Sequence, residues 1–507
     1  MRRIALAPLI LFGSTFLVYN LAAYANDPLA ELRLSSDDGA RQQIIALTRD
    51  LNLDVPPPIR YFLWLKGILG IFVGKFDLGD TRSATTVWEE LSYAIPVSLR
   101  LVFVATITAL VIGLALGIIS ALRQYSRFDY AMTFLAFLLF SLPIFWVAVL
   151  LKEFMAIQFN NFLSEPNIPI KWMAAFSIFI GIFWSSLFGG ERKRFWSVFG
   201  GAFATSFVIL WAIDFTDWYL NPGLGIILIG LLSVGIAFGV TAISTGLSNV
   251  PAKKAALTMA GLAVVWYYPA QWIFNNFGSY FTIFILISLI VLTGLGLSRI
   301  YSKIDHGPIA RTAIITGILS GFLILVDRIM QSWDDYFATD AVNGRPVPTY
   351  GQRKDQLVTE DFWLNNLDTI MHLVLPTLAL ILISVAGWIR YTRGALLEVL
   401  NQDYIRTARA KGLNEREVIT RHALRNTMLP LSSLFVGEFL GLISGAVITE
   451  RVFGWQGMGT LFIRGVNGGD PNLLMGVTLL FAVLTIFGNL LADLVYSALD
   501  PRIRLGK

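Results

Sequence analysis

The chain has 507 residues, enough for several soluble domains, but hydrophobic residues make up 55% of it and charged residues only 14%. A typical soluble domain has about 25% charged residues, so most of this surface must face lipid or other apolar helices. Cysteine is absent, which excludes disulfides, thiolate catalysis, zinc fingers and iron–sulfur clusters. The net charge of +5 fits basic loops beside a membrane better than a nucleic-acid partner. These properties predict an all-α integral membrane protein.

Runs of apolar residues predict where the chain crosses the membrane, because a spanning helix needs about 20 of them. The charge-free stretch 255–298 is long enough for two spans, and the polar turn at 275–279 divides it into a hairpin. The run 429–449 is apolar apart from Glu438. Twelve spans are predicted: 4–25, 101–122, 130–151, 172–190, 195–213, a segment starting near Gly223, two within 255–298, 309–330, 369–389, 429–449 and 473–496.

The distribution of Lys and Arg predicts the orientation, because basic residues concentrate in cytoplasmic loops. With Met1 in the cytoplasm, the inside loops are 1–3, 123–129, 191–194, 248–254, 299–308, 390–428 and the C-terminal tail. These loops hold the dense basic clusters, whereas the opposite short loops 214–222 and 275–279 contain no Lys or Arg. We therefore predict a multi-pass membrane protein with both termini in the cytoplasm.

The N-terminal run has a second interpretation as a cleavable signal peptide, since Arg2 and Arg3 precede it and small residues follow. The run has 22 residues from Ile4 to Ala25, longer than the roughly 7–15 of a signal peptide, so we interpret it as the first span. The following segment, 26–96, is predicted to lie outside. Tyr61, Phe62 and Trp64 in this segment suit a short helix at the membrane interface.

Motifs for nucleotide binding or covalent catalysis are not found in the sequence. Gly74-Lys75 resembles the end of a phosphate-binding loop but lacks its first glycine and its final Ser or Thr. The chain is therefore predicted not to be an enzyme and to bind no metal or cofactor. Glu438 lies well inside a predicted span and should face protein or water. A structural hydrogen bond is favoured for it over a place in a solute pathway.

The segment 398–430 is charged and favours helix, unlike the apolar chain around it. Residues 398–411 contain no Pro or Gly, and Gly412 suits the left-handed position that ends a helix. Asn414 can cap a second helix, with Glu417 three residues later as in a capping box. The pattern predicts two helices around a glycine turn, leading back to the membrane at Leu429-Pro430.

The first predicted helix of this segment has the composition of a docking surface. Small residues at Thr407, Ala408 and Ala410 would permit close approach by a partner, and basic residues offer charge pairing. The alternative is a basic loop that anchors to anionic lipid. Pattern alone leaves both open.

The same segment resembles the coupling loop of permeases from bacterial ABC importers, most closely the dipeptide, oligopeptide and nickel group. The residues that carry the resemblance are Asp403, Tyr404, Arg406, Thr407, Ala408, Arg409, Ala410, Lys411 and Gly412, then Asn414, Glu417, Arg421, His422, Arg425, Asn426 and Pro430. A second stretch is similar to the outer loop of the group through Glu450, Phe453, Gly454, Gly457 and Gly459, although Gln456 stands where Pro is usual. Further similarity is found at 53–64, 77–79, 141–146 and 493–503.

These motifs leave the middle of the chain unmatched. We predict that residues 1–151 form the first part of a six-span type I importer core, with the outer segment 26–96, and that residues 369–507 form the second part, with the coupling loop 390–428. Residues 152–368 are predicted to be an inserted block of about six additional spans and an outer loop. An even number of inserted spans leaves the coupling loop on the cytoplasmic side.

The resemblance implies a permease subunit of the bacterial inner membrane that pairs with a second, homologous permease as a heterodimer. Two ATPase subunits would use ATP and Mg²⁺, and an extracytoplasmic solute-binding protein would deliver the solute, with peptide favoured over nickel chelates or sugars. The alternative is a twelve-span secondary transporter driven by an ion gradient. Such carriers show two related halves, and the N-terminal half contains no repeat of residues 403–412.

Overall fold

The computed structural model describes residues 2–25, 27–34, 39–188, 190–302, 305–354, 356–357 and 359–499. Lys303 of a predicted inside loop, and residues 500–503 of the C-terminal similarity with the tail behind them, lie outside the described residues. Among the described residues the regular elements are helical, apart from a single β-bridge between Asp80 and Thr86. The predicted all-α class is therefore confirmed.

The described part of the chain contains 23 α-helices, numbered here in chain order. The first twelve are α1 (Arg2–Ala25), α2 (Ala30–Leu34), α3 (Ala40–Asp50), α4 (Pro57–Leu69), α5 (Val87–Leu122), α6 (Arg127–Ser141), α7 (Ile144–Leu151), α8 (Gln158–Ser164), α9 (Ile170–Phe188), α10 (Arg192–Phe215), α11 (Gly225–Ser244) and α12 (Val250–Val265). The others are α13 (Tyr267–Asn276), α14 (Tyr280–Tyr301), α15 (His306–Gln331), α16 (Trp333–Ala338), α17 (Phe362–Leu400), α18 (Asp403–Ala410), α19 (Glu415–Glu417), α20 (Leu424–Gly445), α21 (Val447–Phe453), α22 (Met458–Asn467) and α23 (Pro471–Leu499). Short π-helical segments occupy Lys152–Ile157 and Val418–Ala423.

The spanning helices agree with the predicted positions more closely than with the predicted number. Within the described residues nine helices are long and apolar enough to cross a membrane, or ten if α6 and the helix after it form one span bent by 100°. The bend falls at Leu142-Pro143, because the residue before a proline is disfavoured in helical conformation. The predicted spans that correspond to α12–α13 and to α20 are not among these helices.

The chain divides into two compact units, each with its own packing. The first unit contains Met1–Met155, Thr349–Gln352 and Leu373–Lys507, and the second contains Ala156–Pro348 and Arg353–His372. The main divisions lie between residues 155 and 156 and between residues 372 and 373, and the short piece Thr349–Gln352 belongs to the first unit. The six-span core and the inserted block, with boundaries at 151 and 368, stay predictions.

In the first unit, α4 packs on α1 through aromatic side chains. Tyr61 is fully buried and Trp64 is 7% exposed, and the Tyr61 ring meets the Tyr19 ring edge-on with centroids 5.7 Å apart. The Tyr61 hydroxyl lies 2.9 Å from Thr15 Oγ1. Tyr61 and Trp64 therefore belong to the core of the first unit, whereas Phe62 on the same helix is exposed. The interfacial position of α4 stays a prediction.

Two glycines let α5 approach α17 closely in the first unit. A Cβ atom at Gly113 would collide with the Trp388 side chain, and one at Gly117 would lie 2.7 Å from Thr392 Cβ. Glycine is the residue that permits such backbone approach between spans. The contact brings the ends of α5 and α17 together, and the charged segment follows directly from the end of α17.

The second unit has a buried carboxylate among its helices. Asp327 on α15 is 1% exposed and accepts backbone hydrogen bonds from residues 224 and 225 at 2.6 and 3.1 Å. The side chains of Tyr267, Gln271 and Gln331 also donate to it, at 2.7, 3.2 and 2.8 Å. These five donors explain how an acidic residue is accommodated in an apolar bundle.

Candidate functional site

Helix α18 is attached to the rest of the first unit by one apolar side. Ile405 is fully buried and Ala408 is 6% exposed, and both belong to a cluster with Ala121 at the end of α5 and Leu396 near the end of α17. Residues 415–430, named here the return segment, lead back from the turn after α18, and Val418 and Ala423 of this segment complete the cluster. These contacts join α18 to the ends of both α5 and α17.

The position of Ala408 corrects one prediction. Its small side chain does not present a surface to a partner, because it fills the contact between α18 and the chain's own helices. The predicted residues that remain exposed on α18 and the turn after it are Asp403, Tyr404, Arg406, Thr407, Arg409, Ala410, Lys411 and Gly412. This set, named here the α18 outer face, is basic and is the part of the segment that a partner can reach.

The turn after α18 has the geometry that the sequence predicts. Gly412 adopts φ +80°, and a Cβ atom added there would meet nothing within 4 Å. The glycine is therefore required by backbone conformation and not by space. The Asn414 side chain accepts a hydrogen bond from the Glu417 backbone N–H at 2.8 Å and so caps the next helix. The Glu417 carboxylate itself accepts from Arg421 at 2.6 Å.

A salt bridge that sequence reasoning missed closes this turn. Arg409 donates to Glu415 through two hydrogen bonds of 3.1 and 2.7 Å, across the glycine. The neighbouring guanidinium lowers the pKa of Glu415. The only sequence signal is a pair of opposite charges six residues apart around a predicted turn.

The return segment completes the site. The Asn426 amide donates to the Tyr404 hydroxyl at 2.7 Å and ties the return segment to α18. His422 is half-buried, Arg425 is exposed, and Pro430 lies inside α20. The charged segment is thus one folded unit and not an extended loop.

A buried ion pair lies at the same ends of α5 and α17. Asp129 at the start of α6 is 2% exposed, and Arg393 on α17 is 26% exposed. Arg393 donates to the two Asp129 oxygens at 2.6 and 2.9 Å, and Ser120 Oγ and the Tyr125 backbone N–H donate to them at 2.5 and 3.0 Å. One carboxylate therefore joins α5, α6 and α17.

The second predicted stretch, residues 450–460, is organised by a buried glutamate and is named here the Glu450 loop. Glu450 is fully buried and accepts hydrogen bonds from Ser98 Oγ at 2.6 Å and from the Thr460 backbone N–H at 2.8 Å. Ser98 Oγ in turn accepts from the Met458 backbone N–H at 2.7 Å. The carboxylate thus satisfies the free N–H groups at the start of α22, as an acidic group at a helix N-terminus does.

The glycines of the Glu450 loop are needed for close contact. A Cβ atom at Gly457 would collide with the Glu450 carboxylate and with Ser98 Oγ, and one at Gly459 would lie 2.7 Å from Val447 Cγ2. Gly454 ends α21 with φ +69°, and its added Cβ would collide with the Tyr350 ring. The glycines therefore allow the Glu450 loop to pack closely at the start of α22, where the added Cβ atoms would collide with neighbouring atoms.

Residues 349–352 cover part of this loop. The Gly351 backbone N–H donates to the Phe453 carbonyl at 2.8 Å, and Gln352 hydrogen-bonds to the Tyr93 hydroxyl. Lys152 Nζ lies 5.4 Å from the centre of the buried Phe453 ring and donates to the carbonyl of residue 452 at 2.5 Å. None of these contacts could be predicted from the sequence, because the partners are far apart along the chain.

Glu438 on α20 is half-buried. Its carboxylate faces the side chains of Ser384 and Trp388 on α17. The expectation that it faces protein and not lipid is therefore met by its position.

Substitution of Glu450 tests its electrostatic state. Burial raises the pKa of Glu450 above its ordinary value, so the folded chain holds the proton to a higher pH than the unfolded chain. The free energy of unfolding therefore decreases as pH rises from the ordinary pKa to the raised one. Glu450→Gln should remove this pH dependence in thermal unfolding of the detergent-solubilised chain, because the amide is neutral and can still accept a hydrogen bond.

Glu450→Ala is the contrasting variant, since it leaves Ser98 and the Thr460 N–H without their acceptor. It should lower the free energy of unfolding by about 1–3 kcal/mol at acidic pH. If the stability of the wild type and that of Glu450→Gln depended on pH in the same way, the raised pKa of Glu450 would be contradicted.

Comparison with known proteins identifies the class to which this helical membrane chain belongs. Residues 243–505 match the family described as binding-protein-dependent transport system inner membrane component. The match covers half of the chain, so the chain belongs to this family of multi-pass transport subunits.

Individual relatives carry related names. The oligopeptide transport system permease protein OppB of Mycobacterium bovis is 45% identical over 138 residues, 27% of this chain and 42% of the relative. AppB of Bacillus subtilis, also named an oligopeptide transport system permease protein, is 40% identical over 227 residues, 44% of this chain and 66% of the relative. The dipeptide transport system permease protein DppB of Bacillus subtilis is 35% identical over 206 residues, 39% of this chain and 66% of the relative. The chain thus spans between 42% and 66% of the length of these relatives.

Proposed function

We propose that the chain is the transmembrane permease subunit of an ATP-driven ABC importer and forms half of a pathway for peptides or related small solutes. The observation that carries the proposal is the arrangement of α18, whose basic outer face is exposed while Ile405 and Ala408 pack on the ends of α5 and α17. A partner bound to the outer face would move these two long helices when it moved. The names of the relatives favour peptides as the solute.

The proposed complex contains this chain, a second homologous permease, two ATPase subunits and an extracytoplasmic solute-binding protein. The chain binds no cofactor of its own, and ATP and Mg²⁺ bind to the ATPase subunits. Helix α18 contacts an ATPase from the cytoplasm. The Glu450 loop lies on the opposite side of the membrane.

The proposed topology has twelve spans with both termini in the cytoplasm. Helices α12 and α13 count together as one span, and α20 counts as another. The support for the orientation is the absence of Lys and Arg from residues 214–222 and 275–279, compared with the basic clusters at 191–194 and 390–428. Residues 1–151 and 369–507 form the six-span core of this proposal, and 152–368 form the inserted block.

The first test determines whether ATP or an ion gradient drives transport. Vesicles that contain the reconstituted complex should take up peptide only when ATP is supplied on the side of α18, and an ionophore that collapses ion gradients should not change the rate. Uptake that is abolished by the ionophore and indifferent to ATP would instead establish an ion-coupled secondary transporter, with Glu438 as its first candidate residue.

Charge reversal on the α18 outer face tests the ATPase contact. Arg406 is exposed and only loosely paired with Asp403, at 3.5 Å, so Arg406→Glu should change thermal stability by less than about 0.5 kcal/mol. It should weaken retention of tagged ATPase subunits by about tenfold, because a like charge replaces a complementary one in the interface. The readout is the amount of ATPase that is co-purified with the permease.

The matched control is Arg192→Glu at the start of α10, an exposed arginine in another predicted inside loop. It should leave retention unchanged. Equal retention by both variants and the wild type would remove the α18 outer face from the docking surface and favour the lipid-anchor interpretation.

A further inference from the structure

An apolar cavity of about 260 Å³ lies among α12, α13, α14 and α15 in the second unit. Leu262, Trp266, Phe274 and Leu286 contribute to its wall. The lining side chains are aliphatic, aromatic or thioether groups, with the exception of Thr293. The Thr293 hydroxyl already donates to the Leu289 carbonyl at 2.7 Å, so the wall has little to offer a polar ligand.

The cavity lies along the apolar length of two candidate spanning helices. It is lined by residues 283–293 of α14 and by residues 317–325 of α15, and both helices are apolar enough to span the membrane. Its wall continues into side chains that face outward, such as Leu289 and Phe322, which are 42% and 58% exposed. The medium around the apolar part of a spanning helix is lipid hydrocarbon.

The packing of the second unit argues against an additional helix, from outside the unit, as the occupant of this cavity. Gly317 and Gly321 on α15 have the spacing by which small residues admit a neighbouring helix. A Cβ atom at Gly317 would collide with Met259 of α12, and one at Gly321 would lie 2.8 Å from Ile290 Cδ1 of α14. The unit's own helices already cover the glycine face. The space that remains suits a narrow, flexible occupant.

We infer that this cavity is a lipid site that takes an acyl chain of a membrane phospholipid. Apolar cavities of about 150 Å³ stay dry and bind hydrocarbon ligands, and this one is larger and lies where acyl chains are present at high concentration. The site belongs to the second unit alone. It is independent of the proposed transport function and of the nature of the solute.

Native mass spectrometry of the full-length chain, purified in detergent and equilibrated with palmitoyl-oleoyl phosphatidylethanolamine, tests this inference. The wild type should retain one phospholipid per chain. Leu286→Trp places a larger side chain in the cavity and should lower retention by about tenfold, which corresponds to loss of burial of about two methylene groups. The control Leu231→Trp, at a position on α11 that is 68% exposed, should retain lipid like the wild type.

Ala270→Leu is a second filling variant, in case Leu286→Trp does not fold. Ala270 is 7% exposed and lines the same cavity, so its replacement should also lower lipid retention. Added phospholipid should raise the unfolding temperature of the delipidated wild type more than that of either filling variant. Equal retention by wild type and folded filling variants would overturn the inference. So would a bound mass that corresponds to a polypeptide or to a free fatty acid.

Discussion

Replacing Asp129 with alanine is expected to lower the free energy of unfolding by about 3–5 kcal/mol, because it removes one partner of a buried ion pair. Arg393 would lose the carboxylate that receives two of its N–H groups at 2.6 and 2.9 Å. Ser120 Oγ and the Tyr125 backbone N–H would lose the same acceptor. The measurement is thermal unfolding of the detergent-solubilised chain.

Two further variants separate the ion pair from a general effect of the substitution. Asp340→Ala changes an exposed aspartate and should leave stability within about 0.5 kcal/mol of the wild type. The double variant Asp129→Ala with Arg393→Met should be more stable than Asp129→Ala alone, because no charge is left unpaired. If Asp129→Ala unfolds at the same temperature as Asp340→Ala, the pair does not hold α5, α6 and α17 together.

The turn of the charged segment could be predicted from sequence because it depends on local rules. A left-handed glycine and an asparagine cap are properties of a few adjacent residues, and both Gly412 and Asn414 have the expected geometry. The prediction that Ala408 contacts a partner is wrong, because a small residue suits a partner's groove and an internal contact equally well. Only the helical phase shared with buried Ile405, three residues earlier, indicates the internal contact.

Contacts between distant parts of the chain could not be predicted. Asp129 and Arg393 are 264 residues apart, and Ser98 and Glu450 are 352 residues apart. No periodicity or local propensity relates such pairs, so only the fold brings them together. The resemblance identifies the glycines at 457 and 459. Only the fold shows the physical reason, which is that the Glu450 carboxylate and Val447 leave no space for a Cβ atom at these two positions.

The spans show a similar division between what length and composition determine and what packing determines. Charge-free runs located α5, α9, α10 and α11, and a run interrupted only by Asp493 located α23, because charges are costly within a spanning helix. The 100° bend after α6 had a sequence signal in Pro143, which the run of apolar residues conceals. The break between α12 and α13 at Trp266 lies within an apolar stretch, where composition cannot distinguish one helix from two.

Gly412→Val is expected to uncouple the proposed ATPase subunits from transport. At φ +80° a β-branched residue is strongly disfavoured, at a local cost of about 1–3 kcal/mol. The strain should change the angle between α18 and the return segment, and weaken the Arg409–Glu415 pair that closes the turn. We expect faster hydrogen exchange within residues 403–417 and a lower ratio of peptide uptake to ATP hydrolysis in the reconstituted complex.

Two controls separate backbone strain from an effect of side-chain size. Gly412→Asn should behave nearly like the wild type, because asparagine tolerates the left-handed region and space around the position is open. Gly394→Val adds the same side chain to the helical part of α17, also with nothing within 4 Å, and should preserve coupling. Normal coupling in Gly412→Val despite faster exchange in the turn would show that the angle after α18 does not transmit the motion of the ATPase. Transmission would then rest on the buried contacts of Ile405 and Ala408 with α5 and α17.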